Sequence, residues 1–208
     1  MEFEPRQPVP VFPLPNVVLF PHAVVPLHIF ELRYRTMIRD ALAGERVLAI
    51  ALLQPGWERE YHGSPAFHDL ACLARIESVE WLPDDCYDLR LRGLARARLG
   101  AVTREFPYRA VRTIVLPEAP FTEDDPLVAS ERRGLAALYR RLVERPDADA
   151  GMPFAALVNG VCMTAPLAAE ERLELLALDS VIERGHRVRE LAARRLQDGT
   201  GAEPGEHN

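Results

Sequence analysis

Proline spacing near the start of the chain limits the folds that it can adopt. Six of the 18 prolines lie within a short stretch, at Pro8, Pro10, Pro13, Pro15, Pro21 and Pro26. Proline fixes its own φ angle and pushes the preceding residue towards extended geometry, so a helix cannot run through this stretch. The apolar residues between the prolines therefore predict short extended strands.

The hydrophobic period changes directly after Pro26. Apolar residues then recur at the spacing of one helix face, which predicts a helix over Glu31–Leu42 with Gly44 beyond its end. The residues of this face are Phe30, Tyr34, Met37, Ile38 and Ala41. The first part of the chain therefore predicts extended strands covered by one helix.

Three sequence motifs in this stretch follow one another in a specific order. They are FPLPNVVLFP, PLHIFE and RYRTMI. In these motifs and their spacing the chain resembles the LON substrate-binding domain, which is the N-terminal domain of the Lon proteases and also occurs as a free-standing small protein. The resemblance extends over residues 9–195. It is interrupted at Asp84-Asp85-Cys86, where members of the family often carry Asp-Gly-Arg.

The resemblance implies an α+β fold in two lobes. The first lobe, residues 1–117, is a β-rich, PUA-like pseudo-barrel that carries the Glu31–Leu42 helix. The second lobe, residues 118–197, is a helical bundle. The acidic, proline-rich segment Pro117–Pro126 agrees with this division, because it separates strand-like alternation from helical period. The polar, glycine-rich residues 198–208 predict a disordered tail.

Composition and charge favour a reduced protein of the cytoplasm. The formal net charge of −6 and a pI near 5.6 disfavour a general nucleic-acid binder. The chain has no apolar run long enough to span a bilayer and begins without a signal peptide pattern. Its three cysteines are too scattered to indicate a disulfide framework. These features predict a cytoplasmic protein without a membrane partner.

Lysine is absent from the sequence, and all 25 basic residues are arginine. A Walker-type phosphate loop requires a lysine at the phosphates. The catalytic lysine of the Lon proteases is missing as well. The resemblance implies this comparison, because these enzymes cleave peptide bonds with a Ser–Lys dyad in which the lysine amine is the general base. Arginine cannot replace this amine, since it does not deprotonate in proteins. The sequence therefore predicts a chain that is not an enzyme and needs no cofactor.

The segment Gln54–Asp69 predicts a long loop with three large aromatic side chains. These are Trp57, Tyr61 and Phe67. Exposed aromatics act as anchors for bound partners, so all three are candidate peptide-binding residues. The alternative is that they fold back and cover the neighbouring sheet. His62 and His68 lie in the same loop without the further ligands of a zinc site, so no metal site is predicted.

A strand beginning at Tyr87 alternates apolar and charged residues. Gly93 in its middle predicts a bulge or a sharp bend. The charged face carries Arg90, Arg92, Arg96 and Arg98. Such a face is a candidate anion-binding surface for RNA or for acidic peptide segments. The alternative is a solvated face whose charges pair across strands with Glu77, Glu80 or Glu105.

Three functions are consistent with these features. The resemblance implies a non-enzymatic module that binds peptide segments or unfolded proteins, with a separate protease as a candidate partner and homo-oligomerisation left open. The first alternative is an RNA binder that uses the PUA-like barrel and the arginine face, which the negative net charge disfavours. The second alternative is a hydrolase of unrecognised type, although no serine, cysteine or histidine motif supports it.

Overall fold

The computed structural model describes residues 4–60 and 63–197, so the predicted tail at residues 198–208 lies outside the described part. The chain divides into two compact units between Pro117 and Glu118. The described residues of the first unit form six strands, helix α1 (Leu32–Ala43) and a short 3₁₀ turn (Trp57–Glu60). The strands are β1 (Val9–Leu14), β2 (Val24–Ile29), β3 (Val47–Leu53), β4 (Phe67–Trp81), β5 (Tyr87–Arg104) and β6 (Ala110–Val115).

Five of the strands close into a barrel. Strand β1 pairs in parallel with β3 and antiparallel with β6, and β3 pairs with β4. Strand β5 pairs with β4 over most of its length, with β2 over its first half and with β6 over its second half. The ring β1–β3–β4–β5–β6 is therefore closed, and β2 remains beside it as an edge strand. The predicted α+β fold with a β-rich pseudo-barrel is confirmed.

Small side chains fill the inside of the barrel. Directly opposed residues of neighbouring strands share a face of the sheet, so the strand register identifies the residues that point inwards. A narrow barrel leaves room mainly for valine and alanine. The buried cluster consists of Val9, Val11, Val47, Ala49, Ala51, Ala71, Leu73, Ala97, Leu99 and Val111.

Helix α1 packs on the outside of the barrel. Its residue Tyr34 contacts Phe12 of β1 with ring centroids 4.6 Å apart, and Ile38 is fully buried. The predicted helix is confirmed, but the assignment of Phe30 to its buried face is wrong. The helix begins after Glu31, so Phe30 lies before the first turn and remains 59% exposed.

A bulge in β5 changes the face of the sheet to which its residues point. Gly93 lies opposite Ala74, and Ala95 lies opposite Leu73, so Leu94 is the extra residue. Leu73 and Ala74 are neighbours in β4 and point to opposite faces. Gly93 and Ala95 therefore also point to opposite faces, although strict alternation places both on the same face. The irregularity predicted at Gly93 is confirmed.

The prediction of one face with four arginines is wrong because of this bulge. Arg90 and Arg92 lie on one face of the sheet, whereas Arg96 and Arg98 lie on the other. Arg96 is only 1% exposed and donates a hydrogen bond to the carbonyl oxygen of Pro117 at 2.8 Å. Alternation in the sequence does not reveal a bulge, and one extra residue reverses every orientation that follows it.

The second unit consists of four helices in its described residues. They are α2 (Pro126–Leu142), α3 (Phe154–Thr164), α4 (Ala169–Ala177) and α5 (Val181–Gln197). Asp125 begins α2 as an N-cap residue, because its side chain accepts a hydrogen bond from the backbone N–H of Leu127 at 2.8 Å. Within the described part of the chain, none of the helices has the length and apolar character needed to cross a membrane.

A fully buried arginine connects several segments of the second unit. Arg184 of α5 donates hydrogen bonds to the carbonyl oxygens of Leu175 and Leu178 at 3.1 and 2.6 Å. It also bonds the Asn159 side chain of α3 at 2.9 Å and pairs with Glu118 at 3.1 Å. The guanidinium tolerates burial because its donors find partners.

Candidate binding surfaces

The predicted aromatic loop between β3 and β4 is only partly exposed. Trp57 is half-buried in the 3₁₀ turn, whereas Tyr61 and His62 lie outside the described residues. His68 belongs to strand β4. Among residues 4–60 and 63–197, no group of three or more histidine, cysteine, aspartate or glutamate side chains is arranged to hold a metal ion.

Phe67 contacts its own barrel. It is the first residue of β4 and packs against the buried cluster inside the barrel. Its ring centroid lies 4.2 Å from the guanidinium carbon of Arg109, which is a cation–π distance. The half-buried position favours the alternative in which this aromatic side chain covers the sheet. A peptide-binding role for Trp57, Tyr61 and Phe67 stays a prediction.

A cleft of about 130 Å³ opens between this loop, helix α1 and the connection from β5 to β6. We refer to it as the barrel cleft. Helix α1 contributes Arg33 and Tyr34, and the loop contributes Gly63 and Ser64. The other lining residues are Val11 and Pro13 of β1 and the five residues Glu105, Phe106, Pro107, Tyr108 and Arg109.

Two arginines of the barrel cleft hold the loop in place. Arg33 donates a hydrogen bond from Nη1 to the carbonyl oxygen of Gly63 at 3.2 Å, and it pairs with Glu31 at 3.0 Å. Arg109 donates from Nη2 to the carbonyl oxygen of Pro65 at 2.7 Å. Burial lowers the pKa of the Arg109 guanidinium, because the charged form loses contact with water. The cleft therefore has a cationic wall that is partly shielded from solvent.

Two buried tyrosines complete this wall. Burial raises the pKa of Tyr34, and it raises the pKa of Tyr108 to about 12, where a hydrogen bond donated to Asp40 adds to the effect. The guanidinium carbon of Arg104 lies 3.9 Å from the centroid of the Tyr108 ring. Both phenol groups therefore stay neutral at physiological pH, and the charges of the cleft come from its arginines and Glu105.

The rim of the barrel cleft carries an aromatic and an acidic side chain. Phe106 is 78% exposed, and Glu105 beside it is exposed as well. The charge of Glu105 acts on Arg109 and favours its charged form. Sequence reasoning missed Phe106 and Arg109 as site residues, because no local pattern shows that the β5–β6 connection meets helix α1.

Three further apolar side chains are exposed at one end of the sheet. Trp81 ends β4 and lies opposite Tyr87 of β5, which lies opposite Ile29 of β2. Trp81 is 69% exposed, and Phe30 and Leu32, which follow Ile29 closely in the chain, are exposed too. We refer to Phe30, Leu32 and Trp81 as the apolar end. Sequence reasoning missed this group, because apolar residues at the end of a strand pattern look like core residues.

The free edge of β2 is protected against the addition of another strand. The N–H of Gly93 donates a hydrogen bond to the carbonyl oxygen of Ala23 at 2.9 Å. Hydrogen-bonded positions alternate in an antiparallel pair, so residues 25, 27 and 29 also face β5, and residues 24, 26 and 28 face the free edge. Pro26 at the centre of this edge has no N–H to donate. An extended peptide cannot form a regular ladder there.

The arginines of β5 do not form a continuous anion-binding surface. Arg92 pairs with Glu77, and Arg98 pairs with Asp69 at 2.6 Å. Arg90 is exposed. Because Arg96 is buried and the bulge divides the other three between two faces, their charges do not add up at one surface.

Comparison with known sequences relates the chain to one family. The family profile described as "ATP-dependent protease La (LON) substrate-binding domain" matches residues 8–194. Lon protease 2 of Herpetosiphon aurantiacus is 29% identical over 190 residues, which are 86% of this chain and 23% of that protein. Lon protease 2 of Myxococcus xanthus is 30% identical over 140 residues, which are 66% of this chain and 16% of that protein. The chain therefore spans less than a quarter of the length of these relatives.

Solved structures share the fold. The N-terminal domain of the Mycobacterium avium complex Lon protease matches with a TM-score of 0.70 at 22% identity, over 90% of this chain and 98% of that chain. The Lon N-terminal domain protein from Xanthomonas campestris matches over the same shares, with a TM-score of 0.63 at 26% identity. The part in common is the substrate-binding domain and not a catalytic one. The chain belongs to the ATP-dependent protease La (LON) substrate-binding domain family.

Proposed function

We propose that this chain binds exposed segments of unfolded polypeptides and presents them to a protease, with a separate protease as the candidate partner. Membership of a substrate-binding family supports the proposal. The observation that carries it is the apolar end, where Phe30, Leu32 and Trp81 are all more than half exposed. Contiguous exposed apolar groups mark interaction sites, and the strand register brings Trp81 to the same end of the sheet as Ile29, which directly precedes Phe30.

The apolar end is suited to binding unfolded polypeptides. Unfolded polypeptides expose the aliphatic and aromatic side chains that folded proteins bury. Large aromatic side chains dominate the energetics of interfaces, and burying the exposed part of Trp81 contributes a favourable term that the entropy cost of association partly offsets. Pro26 disfavours main-chain pairing at β2, so side-chain contacts supply the binding free energy in this proposal. Such contacts depend weakly on the bound sequence.

RNA binding has less support. An RNA-binding surface needs cations that reach several phosphates together with aromatic side chains on which bases stack. The arginines of β5 are divided between two faces, and Arg92 and Arg98 already pair with carboxylates. A short single-stranded RNA therefore serves as the competing ligand in the experiment that tests the proposal.

The experiment uses Trp81 as its own reporter. The chain has two tryptophans, so Trp57→Phe leaves Trp81 as the single source of indole fluorescence. We expect a reduced and alkylated, permanently unfolded protein to shift the Trp81 emission on binding.

A second measurement follows the affinity for the unfolded protein by fluorescence anisotropy. Trp81→Ala should weaken this affinity about tenfold, because an anchor side chain is removed. Ile114→Ala is the matched control, since Ile114 is equally exposed but belongs to β6.

The outcomes separate the candidate surfaces. Unchanged affinity in Trp81→Ala and in Phe30→Ala contradicts the role of the apolar end. If Trp57→Ala weakens binding instead, the aromatic loop is the binding surface. RNA binding that falls steeply with added salt, without binding of unfolded protein, replaces the proposal by the nucleic-acid alternative.

A further inference from the structure

We propose that the barrel cleft binds the carboxyl terminus of a polypeptide, with Arg109 as the partner of the terminal carboxylate. The inference rests on the proposed polypeptide binding and names the part of the bound chain that a second site recognises. The apolar end contacts side chains along an unfolded segment, whereas the barrel cleft takes the end of the chain. Three features of the cleft carry the inference, and a fourth makes it testable.

The first feature is a cation that forms no direct ion pair within the described residues. Arg109 is half-buried, and its hydrogen bond goes to the neutral carbonyl of Pro65. Its other close contact is the Phe67 ring at 4.2 Å. No carboxylate in residues 4–60 or 63–197 forms an ion pair with it. A carboxylate brought to a partly desolvated guanidinium forms a charge-assisted hydrogen bond, and the two-pronged geometry of both groups favours this pairing over others.

The second feature is the difference between the two arginines of the cleft. Arg33 already pairs with Glu31, and it also bonds the Gly63 carbonyl. Most of its charge is therefore compensated within the protein. Arg109 is left as the guanidinium that gains most from an incoming anion.

The third feature is size. The barrel cleft measures about 130 Å³, which is slightly less than a cavity of about 150 Å³ that holds one benzene ring. It therefore has room for a terminal carboxylate and part of one side chain, and it excludes a helix or a folded surface. Val11 and Pro13 line it with apolar groups, and the exposed Phe106 stands at its rim. A terminal residue with an apolar side chain matches both the guanidinium of Arg109 and the apolar lining, since its carboxylate and its side chain are attached to the same Cα atom.

The fourth feature, Glu105, predicts whether removal of its charge strengthens or weakens binding. Its exposed carboxylate lines the same cleft as Arg109 and carries the charge of the proposed ligand. Like charges repel, so Glu105 opposes the binding of a carboxylate. Removing this charge should tighten the complex. A cationic ligand would respond in the opposite way.

The test compares peptides that differ only at their last group. Ten-residue peptides, labelled at the N-terminus and ending in leucine, carry either a free carboxylate or an amide, and their binding to the full chain is followed by fluorescence anisotropy. We expect the amide to bind about tenfold more weakly, as for the loss of a charge-assisted hydrogen bond. Arg109→Gln should abolish this difference. Arg112→Gln, an exposed arginine of β6 outside the cleft, should preserve it.

A second variant keeps the test independent of folding defects. Arg109 also holds the Pro65 carbonyl, so its replacement can disturb the loop. Glu105→Gln leaves that contact intact and should tighten binding of the free carboxylate about threefold, with no effect on the amide. Weaker binding of the free carboxylate in Glu105→Gln overturns the inference, because Glu105 then favours binding of the peptide and does not repel a carboxylate in the cleft.

Three other outcomes decide between the alternatives. Equal binding of carboxylate and amide overturns the inference but leaves the proposed function, provided that the unfolded protein still binds. Absence of binding by both the peptides and the unfolded protein contradicts the proposed function itself.

A third peptide has an amide at its end and an internal aspartate. If it binds as well as the free carboxylate, the cleft recognises side-chain carboxylates and the assignment to the chain terminus is wrong.

Discussion

Tyr108 combines burial with a hydrogen bond to a carboxylate. Its hydroxyl donates to Asp40, and burial together with this bond raises its pKa to about 12. In the unfolded chain a tyrosine ionises near pH 10, at its unperturbed pKa of about 10. The folded state therefore binds the phenol proton more tightly than the unfolded state does. The stability from this group is complete below the unfolded pKa and is lost as the pH rises through the folded pKa.

We predict that the free energy of unfolding falls between about pH 10 and pH 12, and that Tyr108→Phe removes part of this fall. The absence of lysine makes the interval accessible, because no side-chain amine titrates there. Tyr34 and Cys162, whose pKa values burial also raises, add to the fall, and the contribution of Cys162 begins near pH 9, where a thiol ionises in the unfolded chain. Urea unfolding across the pH series measures the fall, and tyrosinate absorbance identifies the phenol. The same pH dependence in both proteins contradicts the assignment.

Asp85 explains how the β4–β5 turn tolerates its departure from the family pattern. Its φ angle of 59° lies in the left-handed region, which glycine adopts freely and aspartate more readily than most residues. Family members often carry glycine in this motif. Here the carboxylate of Asp85 pairs with Arg35 and Arg39 of helix α1. The turn is therefore attached to the helix by ion pairs that glycine cannot make.

At the scale of elements, the backbone of strand β5 is in close contact with a neighbouring segment at Gly93. A Cβ atom on Gly93 would lie 2.1 Å from the carbonyl oxygen of Phe20, which is far inside van der Waals contact. The carbonyl of Gly93 accepts a hydrogen bond from the N–H of His22 at 2.8 Å. The segment before β2 therefore lies directly on the backbone of β5, and only glycine leaves room for it.

We predict that Gly93→Ala lowers the free energy of unfolding by about 2–3 kcal/mol, because backbone must move to admit the methyl group. Urea unfolding followed by far-UV circular dichroism measures the effect. Gly44→Ala is the control, since a Cβ atom there has its nearest neighbour at 3.6 Å. The control should stay within about 0.5 kcal/mol of the wild type. Equal stability of the two variants shows that Phe20 can move away without cost.

At the scale of the whole molecule, each unit has a hydrophobic core of its own. The core of the first unit is the inside of the barrel with its valines and alanines. The core of the second unit contains Leu135, Phe154, Leu157, Val158 and Val188. Arg184 adds a buried hydrogen-bond network to this second core. A hydrophobic core of its own is what a unit needs to fold separately.

We expect residues 1–117 and 118–208 to fold when they are produced separately. Circular dichroism should show strand in the first fragment and helix in the second, each with a cooperative urea transition. Arg184→Met should destabilise the second fragment by about 3 kcal/mol, because it removes buried charge-assisted hydrogen bonds. Arg187→Met, exposed on the same helix, should have little effect. Loss of the cooperative transition in either wild-type fragment contradicts the prediction.

Local patterns explain which parts of this fold were predictable. Proline positions and hydrophobic period act over a few residues, and they correctly indicated the early strands, helix α1 and the helical second half. They indicated an irregularity at Gly93 but not that Arg96 and Arg98 change face beyond it, because that depends on how two strands pair. They also failed at Phe30 and Trp81, whose exposure depends on where the sheet ends. The candidate surfaces were therefore the least predictable part of the molecule.

The sequence by itself determined the class of fold, the family and the absence of lysine chemistry, since each depends on residues that are close in the chain or on composition. Only the tertiary structure decided which side chains meet. Arg33 and Arg109 line one cleft because helix α1 packs beside the β5–β6 connection, and Arg96 is buried because one bulge reverses the face of β5. Contacts of this kind follow from strand register and packing between distant segments, which no local pattern specifies.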